Sequence, residues 1–223
     1  MAKRTRPKPT NPLPLARSTL QRQLERLRDE ARTCQRCDLW RHSTQTVFGE
    51  GSVDTDLMLV GEQPGDAEDI QGHPFVGPAG RILLEALTQA GLADTHYYLT
   101  NAVKHFKWEP RGKRRIHVRP TTSELLACSH WLEGEIAAVR PRVLVALGAT
   151  AVRALLGPGP RVTKDRGQWL PSAFGPPVLV TVHPSSVLRM ADREERHAAL
   201  TALVADLRQV VRRLESLDRR ATS

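Results

Sequence analysis

The fold of this chain is indicated by residues 57–80, which read LMLVGEQPGDAEDIQGHPFVGPAG. The apolar run 57–60 predicts a buried strand, because it is short, uncharged and followed at once by glycine. The glycines and prolines after Gly61 cannot continue a strand, so the chain must turn at its carboxyl end. Ligands of open α/β sheets bind at the carboxyl ends of strands, so this polar segment with its single Phe75 is a candidate pocket wall. A solvated acidic loop is the alternative.

Further apolar runs predict three more strands, at 97–100, 143–147 and 178–182. The first of these leads into Asn101 and the last into His183-Pro184-Ser185-Ser186. Helical periodicity and capping signals between the runs predict helices at about 18–32, 81–90, 122–140, 149–156 and 193–217. Alternation of strands and helices favours a single α/β domain with a central, mostly parallel four-stranded sheet flanked by helices.

The chain has 223 residues, with 33 Lys and Arg against 24 Asp and Glu, a formal net charge of +9. This length suits one sizeable domain, and the excess of cations favours polyanionic partners such as DNA. We expect a basic disordered tail over 1–17, a domain over 18–217 and a short tail over 218–223. No apolar run approaches the length of a membrane span, and the N-terminal segment lacks the apolar core of a signal peptide, so we expect a cytoplasmic protein without a membrane partner. We also expect a monomer.

The three cysteines argue against a disulfide framework. Cys34 and Cys37 form C-x-x-C, and Cys128 stands alone far downstream. A C-x-x-C pair without a secretion signal is typical of redox and zinc sites, although incidental thiols are also compatible with it.

Several motifs, in this order, resemble those of the uracil-DNA glycosylase superfamily, close to its iron–sulfur family four. They are GEQPG at 61–65, PFVGPAG at 74–80, the asparagine after the second strand, and HPSSVLR at 183–189. The loop GKRRIH at 112–117, together with GEQPGDAED, more narrowly resembles the UdgX-type glycosylases. The resemblance covers roughly residues 30–210 and implies a glycosylase-like fold, a role in base-excision DNA repair and uracil-containing DNA, single- or double-stranded, as the partner.

The resemblance also implies a [4Fe–4S] cluster as cofactor. Cys34, Cys37 and Cys128 match three of the four family cysteines, and His105 stands where the fourth is expected. Imidazole can ligate iron in such clusters, whereas a structural zinc ion with the same Cys₃His set is the main alternative.

The family motifs place the uracil pocket at Gly61, Gln63, Asp66, Phe75, Asn101 and Ser185. Phe75 is expected to stack on the base and Asn101 to read uracil O4 and N3, since a glycosylase must hold the base outside the duplex. His183 is expected beside uracil O2, where a hydrogen-bond donor stabilises the departing anion. A core role for Phe75 and turn capping for His183 are the alternatives.

In UdgX-like proteins the loop histidine, here His117, attacks C1′ of the deoxyribose and stays bonded to DNA. Glu62 is expected to stabilise the sugar cation or to orient His117. The resemblance assigns DNA contacts to Lys113, Arg114, Arg115 and Arg189. Three alternatives stay open: a basic loop that only holds phosphates, a conventional multiple-turnover family-four enzyme, and a non-catalytic iron–sulfur module that binds DNA.

Overall fold

The computed structural model of the chain describes residues 14–221. The predicted tails at 1–17 and 218–223 therefore lie partly outside the described residues. Where they are described they are helical, because the first helix begins at Pro14 and the last ends at Ala221. The first helix was predicted to begin at about Ser18; the earlier start at Pro14 suits proline, which is tolerated in a first helical turn.

The strands are β1 (Glu50–Gly51), β2 (Leu57–Gly61), β3 (Tyr97–Asn101), β4 (Trp108–Arg111), β5 (Arg114–His117), β6 (Val143–Leu147), β7 (Trp169–Leu170) and β8 (Val178–Thr181). Six of them form one sheet in the order β1-β3-β2-β6-β8-β7. The four central strands are parallel, as predicted, and the two-residue strands β1 and β7 add antiparallel edges that are too short for the apolar pattern to indicate. The α/β fold class is confirmed.

The helices are α1 (Pro14–Ala31), α2 (Asp66–Gln71), α3 (Pro78–Ala90), α4 (Thr122–Val139), α5 (Ala149–Leu156), α6 (Val162–Asp165), α7 (Ser185–Leu188) and α8 (Arg193–Ala221), with a 3₁₀ turn at Asp38–Arg41. Helix α4 begins with a capping box, in which the hydroxyl of Thr121 accepts the Glu124 N–H and the Glu124 carboxylate accepts the Thr121 N–H. Within 14–221, none of these helices has both the length and the apolar character needed to cross a membrane.

The central strands are buried on both faces, which explains their continuous apolar runs. Met58 and Val60 face a core shared with α1, α4 and α5, whereas Leu57 and Leu59 face α3 and α8. The sheet is thus the middle of three layers, and its carboxyl edge is left open to loops.

The largest difference from the predicted fold lies between β3 and α4. The GKRRIH segment at 112–117, interpreted above as a loop, belongs to a two-stranded antiparallel hairpin, β4–β5, separate from the main sheet. Its turn is Gly112-Lys113, with Gly112 at a φ of +61°, the backbone conformation that tight hairpin turns require. Hydrophobic periodicity does not indicate these two strands, because they are short, rich in charge and largely exposed.

Candidate active site

The parallel register brings the predicted site residues to one edge of the sheet. Gly61 at the end of β2 pairs with Asn101 at the end of β3. On the other side, Leu147 at the end of β6 pairs with Thr181 of β8, two residues before His183. The residues that follow these strand ends therefore surround one small region.

Gly61 and Asn101 form the floor of this region beside Phe75. A Cβ placed on Gly61 would lie 2.3 Å from Asn101 Oδ1 and 2.7 Å from Phe75 Cζ, so only glycine leaves this space open. Phe75 itself has a φ of +59°, which is strained for a non-glycine residue. A Cβ on Gly80 would lie 1.7 Å from the Phe75 carbonyl oxygen, so the glycine of PAG permits that strained turn. Strain of this kind concentrates at functional sites.

His183 faces Phe75 and is held in one tautomer. The two ring centroids are 6.4 Å apart with an interplanar angle of 26°. His183 Nδ1 accepts the backbone N–H of Ser185 at 3.2 Å, which leaves the proton of the neutral ring on Nε2. Burial lowers the pKa of His183 to about 4, although the Glu62 carboxylate opposes this shift. At neutral pH the ring is therefore uncharged and presents an N–H donor.

The hairpin places His117 against Glu62. Nε2 of His117 lies 3.2 Å from Oε1 of Glu62, and the His117 side chain remains 48% exposed. Burial would raise the pKa of Glu62, but hydrogen bonds from His117 and Thr150 outweigh it and hold this pKa below its usual value. The pair thus combines an ionised carboxylate with an accessible imidazole.

Gln63 connects the GEQPG motif to the base of the hairpin. Its Nε2 donates to the carbonyl oxygens of Lys107 and Val118, at 3.0 and 3.1 Å, and its Oε1 accepts the Lys107 N–H. These three bonds join the residues that precede β4 and follow β5. The Gln63 amide therefore anchors the hairpin, and its predicted contact with uracil or sugar stays a prediction.

Arg115 anchors the face of the hairpin that carries His117. Its guanidinium donates to Asp66 Oδ1 and Asp69 Oδ2, both at 2.6 Å, and lies over the rings of Phe106 and Trp108. Because these bonds engage both Arg115 and Asp66, the two side chains form a link between the hairpin and α2. Their predicted roles in contacting DNA and substrate stay predictions.

The other predicted DNA contacts lie on exposed surfaces around the site. Lys113 and Arg114 are exposed at the turn of the hairpin. Arg189 is exposed after α7 and donates to the hydroxyl of Ser185, which in turn hydrogen-bonds His183 Nδ1. The predicted DNA contacts therefore come from two elements, the hairpin and the end of α7.

Two further acidic and polar residues support the site without having been singled out from sequence. Glu68 accepts the backbone N–H groups of Gly65 and Gly77, which closes the loop that carries Phe75. Thr150, at the start of α5, donates its hydroxyl proton to Glu62 Oε2. A carboxylate between two glycine-rich motifs was a signal available for Glu68, whereas nothing in the sequence relates Thr150 to Glu62.

The candidate cluster ligands come from three segments: the turn after α1, the residues after β3, and helix α4. Cys34 Sγ accepts the indole N–H of Trp131 at 3.2 Å, and Cys128 Sγ accepts the backbone N–H of Lys104 at 3.3 Å. Burial raises the pKa of Cys128 to about 12, and the neighbouring Cys37 and Cys34 thiols add to this shift. His105 is 4% exposed, and its Nε2 lies 2.9 Å from the hydroxyl of Thr46. Among the described residues, no three His, Cys, Asp or Glu side chains are arranged as a formed metal site.

A buried ion pair lies between the cluster ligands and the pocket floor. Lys104 and Glu135 are both 0% exposed, with Nζ 2.6 Å from Oε2. Lys104 Nζ also donates to the Asn101 carbonyl oxygen at 2.7 Å. The same lysine thus contacts the backbone of a pocket residue and, through its own N–H, the sulfur of Cys128.

Comparison with known proteins agrees with this geometry. Residues 48–208 match the model of the uracil DNA glycosylase superfamily. The type-4 uracil-DNA glycosylase of Thermotoga maritima is 38% identical over 79% of this chain and 89% of its own length. That of Saccharolobus solfataricus is 35% identical over 74% and 77%, and a type-5 uracil-DNA glycosylase of Pyrobaculum aerophilum is 31% identical over 71% and 74%. The chain therefore belongs to the uracil DNA glycosylase superfamily, and its predicted closeness to family four is confirmed.

Proposed function

We propose that the protein excises uracil from DNA and ends covalently bonded to the DNA through His117. The observation that carries the covalent step is the 3.2 Å contact between His117 Nε2 and Glu62 Oε1, directly after Gly61 at the end of β2. Excision itself is also supported by similarity to the type-4 and type-5 uracil-DNA glycosylases.

The pocket suits a flipped pyrimidine. Phe75 offers an aromatic face, and the amide of Asn101 offers both a donor and an acceptor, as the O4 and N3–H of uracil require. Gly61 keeps the floor flat, because any side chain there would meet both residues. A base that enters this space lies beside the ring of His183.

Bond breaking transfers the electron pair of the C1′–N1 bond to uracil, which leaves as an anion. The Nε2–H of neutral His183 can donate to uracil O2, where part of that charge develops. The lowered pKa of His183 keeps its ring neutral at physiological pH, so it acts as a hydrogen-bond donor with no proton to transfer outright.

Departure of uracil leaves an electron-poor C1′, and His117 supplies the replacement electron pair. A ring-nitrogen lone pair forms the new N–C1′ bond, the imidazole becomes positively charged, and its remaining N–H proton can pass to Glu62 or solvent. Glu62 stabilises that charge, because its pKa lies below the usual value and it is ionised at neutral pH. The proposed reaction contains no step that breaks the new bond, so it ends after one turnover.

The test is to incubate the protein with a uracil-containing single-stranded oligonucleotide and to analyse it by denaturing electrophoresis. Wild-type protein should give a species that survives heat and detergent, with an equal amount of free uracil. His117→Ser should lose this species but still release uracil, since Phe75, Asn101 and His183 remain. A heat-resistant adduct with His117→Ser would mean that another residue is the nucleophile.

The same experiment separates the alternatives. A conventional family-four enzyme, favoured by the similarity to type-4 glycosylases, would release uracil repeatedly without an adduct. A non-catalytic DNA-binding module would release none.

We also propose that Cys34, Cys37, Cys128 and His105 hold a [4Fe–4S] cluster. N–H donors to two of the sulfurs, from Trp131 and Lys104, support this, since such bonds stabilise ligated thiolates. The cluster would join three separate chain segments, and the chemistry above needs no electron transfer from it. Purified protein should be brown and contain iron; a colourless, active protein with one equivalent of zinc would contradict the proposal.

A further inference from the structure

Glu62 is held on the side that faces away from His117 by two residues with no role in the reaction above. The hydroxyl of Thr150 donates to Oε2 of Glu62, the oxygen that does not contact His117. Arg119 Nε lies 3.4 Å from the Thr150 hydroxyl oxygen and 3.9 Å from the same Oε2. The hydroxyl thus accepts from one neighbour and donates to the other.

Thr150 is well placed to fix the orientation of the carboxylate. It is 6% exposed and lies in the first turn of α5, directly after β6 and Gly148. A Cβ on Gly148 would lie 2.9 Å from the Cβ of His183, so this strand end is packed closely against the catalytic histidine. The hydroxyl therefore comes from a rigid element, whereas His117 comes from a hairpin outside the main sheet.

We propose that Thr150, supported by Arg119, is a positioning residue that fixes Glu62 so that His117, and not water, captures the sugar. This inference rests on the proposed covalent function. Once uracil has left, C1′ can bond to the imidazole nitrogen and give the adduct, or to a water oxygen that then loses a proton and gives free abasic DNA. Misplacing a reacting group by about 1 Å can cost on the order of 100-fold in rate, so the outcome depends on how firmly Glu62 holds the ring.

The test compares Thr150→Val, which removes the hydroxyl at nearly constant shape, with Thr150→Ser, which keeps it. The quantity to measure is the ratio of heat-resistant adduct to free uracil in a single turnover. A partly unfolded variant loses adduct and uracil together, so a purely structural role leaves this ratio unchanged. Wild-type protein should give a ratio near one, Thr150→Ser a similar value, and Thr150→Val a roughly tenfold lower value with free abasic DNA in its place.

Arg119→Gln provides a second variant. Because the Arg119 side chain is 64% exposed, its replacement should affect stability less than a substitution of the buried Thr150. It should lower the ratio in the same direction by a smaller factor. Thr88→Val is the matched control: the Thr88 hydroxyl donates to Leu84 within α3, and its loss should leave the ratio at the wild-type value.

Each outcome decides the question. An unchanged ratio in Thr150→Val, or an equal fall in Thr150→Ser, would overturn the positioning role while the adduct of the wild-type protein stands. Release of uracil without any adduct from wild-type protein would overturn the covalent function itself, and the role of Thr150 with it.

Discussion

Glu62 and Glu135 are both largely removed from solvent, and both accept a hydrogen bond from a threonine, yet their surroundings differ. Glu135 is completely enclosed, and its donors all lie in or beside the core: Gly49 N–H, Tyr98, Thr100 and Lys104. Glu62 is 18% exposed, and one of its two close partners is the accessible ring of His117. Glu135, whose hydrogen bonds are made inside the protein, therefore connects elements of the fold. Glu62, at the open edge of the sheet, contacts an imidazole that a substrate can reach.

This contrast predicts that mutations around Glu135 lower stability, whereas mutations around Glu62 lower the rate of the reaction. Breaking the Lys104–Glu135 pair leaves an uncompensated buried charge, which is a cost in folding. Breaking the Glu62–His117 pair leaves groups that water can reach, so the loss falls mainly on the reaction.

The largest effect is expected for Lys104→Met. Removal of one partner of a buried ion pair should lower the free energy of unfolding by about 3–5 kcal/mol, measured by urea denaturation. Lys164→Met, at an exposed position on α6, is the control and should change it by less than about 0.5 kcal/mol. The double variant Lys104→Met/Glu135→Leu should regain part of the loss, because it removes both charges. A loss below about 1 kcal/mol in the single variant would show that Glu135 does not depend on Lys104.

Glu62→Gln should slow adduct formation by roughly 10²–10³-fold, since the amide cannot stabilise the charged imidazole. The rate constant is best measured by rapid quenching and denaturing electrophoresis. Its unfolding free energy should change far less than that of Lys104→Met. Equal rates in wild type and variant would remove Glu62 from the chemistry.

Asn101 lies where the two regions meet, because its carbonyl oxygen accepts from Lys104 while its amide lies beside Gly61. Asn101→Ala keeps the backbone carbonyl that accepts from Lys104 and removes the side-chain amide. Uracil excision should fall roughly 10- to 100-fold, in line with about 1–3 kcal/mol for a paired base edge, while affinity for uracil-free DNA stays close to wild type. Full excision activity in the variant would exclude Asn101 from base recognition.

The smallest effect concerns the surface cations. Replacing Lys113 and Arg114 with Ala should reduce the slope of log affinity against log salt by about 0.7 for each lost phosphate contact on single-stranded DNA. Arg115→Ala should disturb adduct formation more than the slope, since its guanidinium already pairs with two carboxylates. An identical slope in the Lys113/Arg114 variant would mean that these side chains face only solvent.

The central strands and most helices were predictable from local patterns. The strand predicted over 57–60 extends one residue further, to Gly61, and the strand Val143–Leu147 begins and ends where predicted, because continuous apolar residues bounded by turn formers favour buried strands. The β4–β5 hairpin and α2 were missed, since both are short and rich in charge. Their stability depends on contacts such as those of Arg115 with Asp66 and Asp69, which no local pattern contains.

The sequence by itself determined the parallel α/β architecture, the family motifs and the residue types gathered at the strand ends. Only the tertiary structure decided how those residues divide the work. In the folded chain the Gln63 amide binds the backbone of Lys107 and Val118, which lie 44 and 55 positions further along the sequence. The Thr150 hydroxyl likewise binds Glu62 across 88 positions. Periodicity reports which face of an element is buried, but the partner of a polar group is set by the packing of distant segments, because a buried carboxylate or amide is stable only where those segments supply its hydrogen bonds.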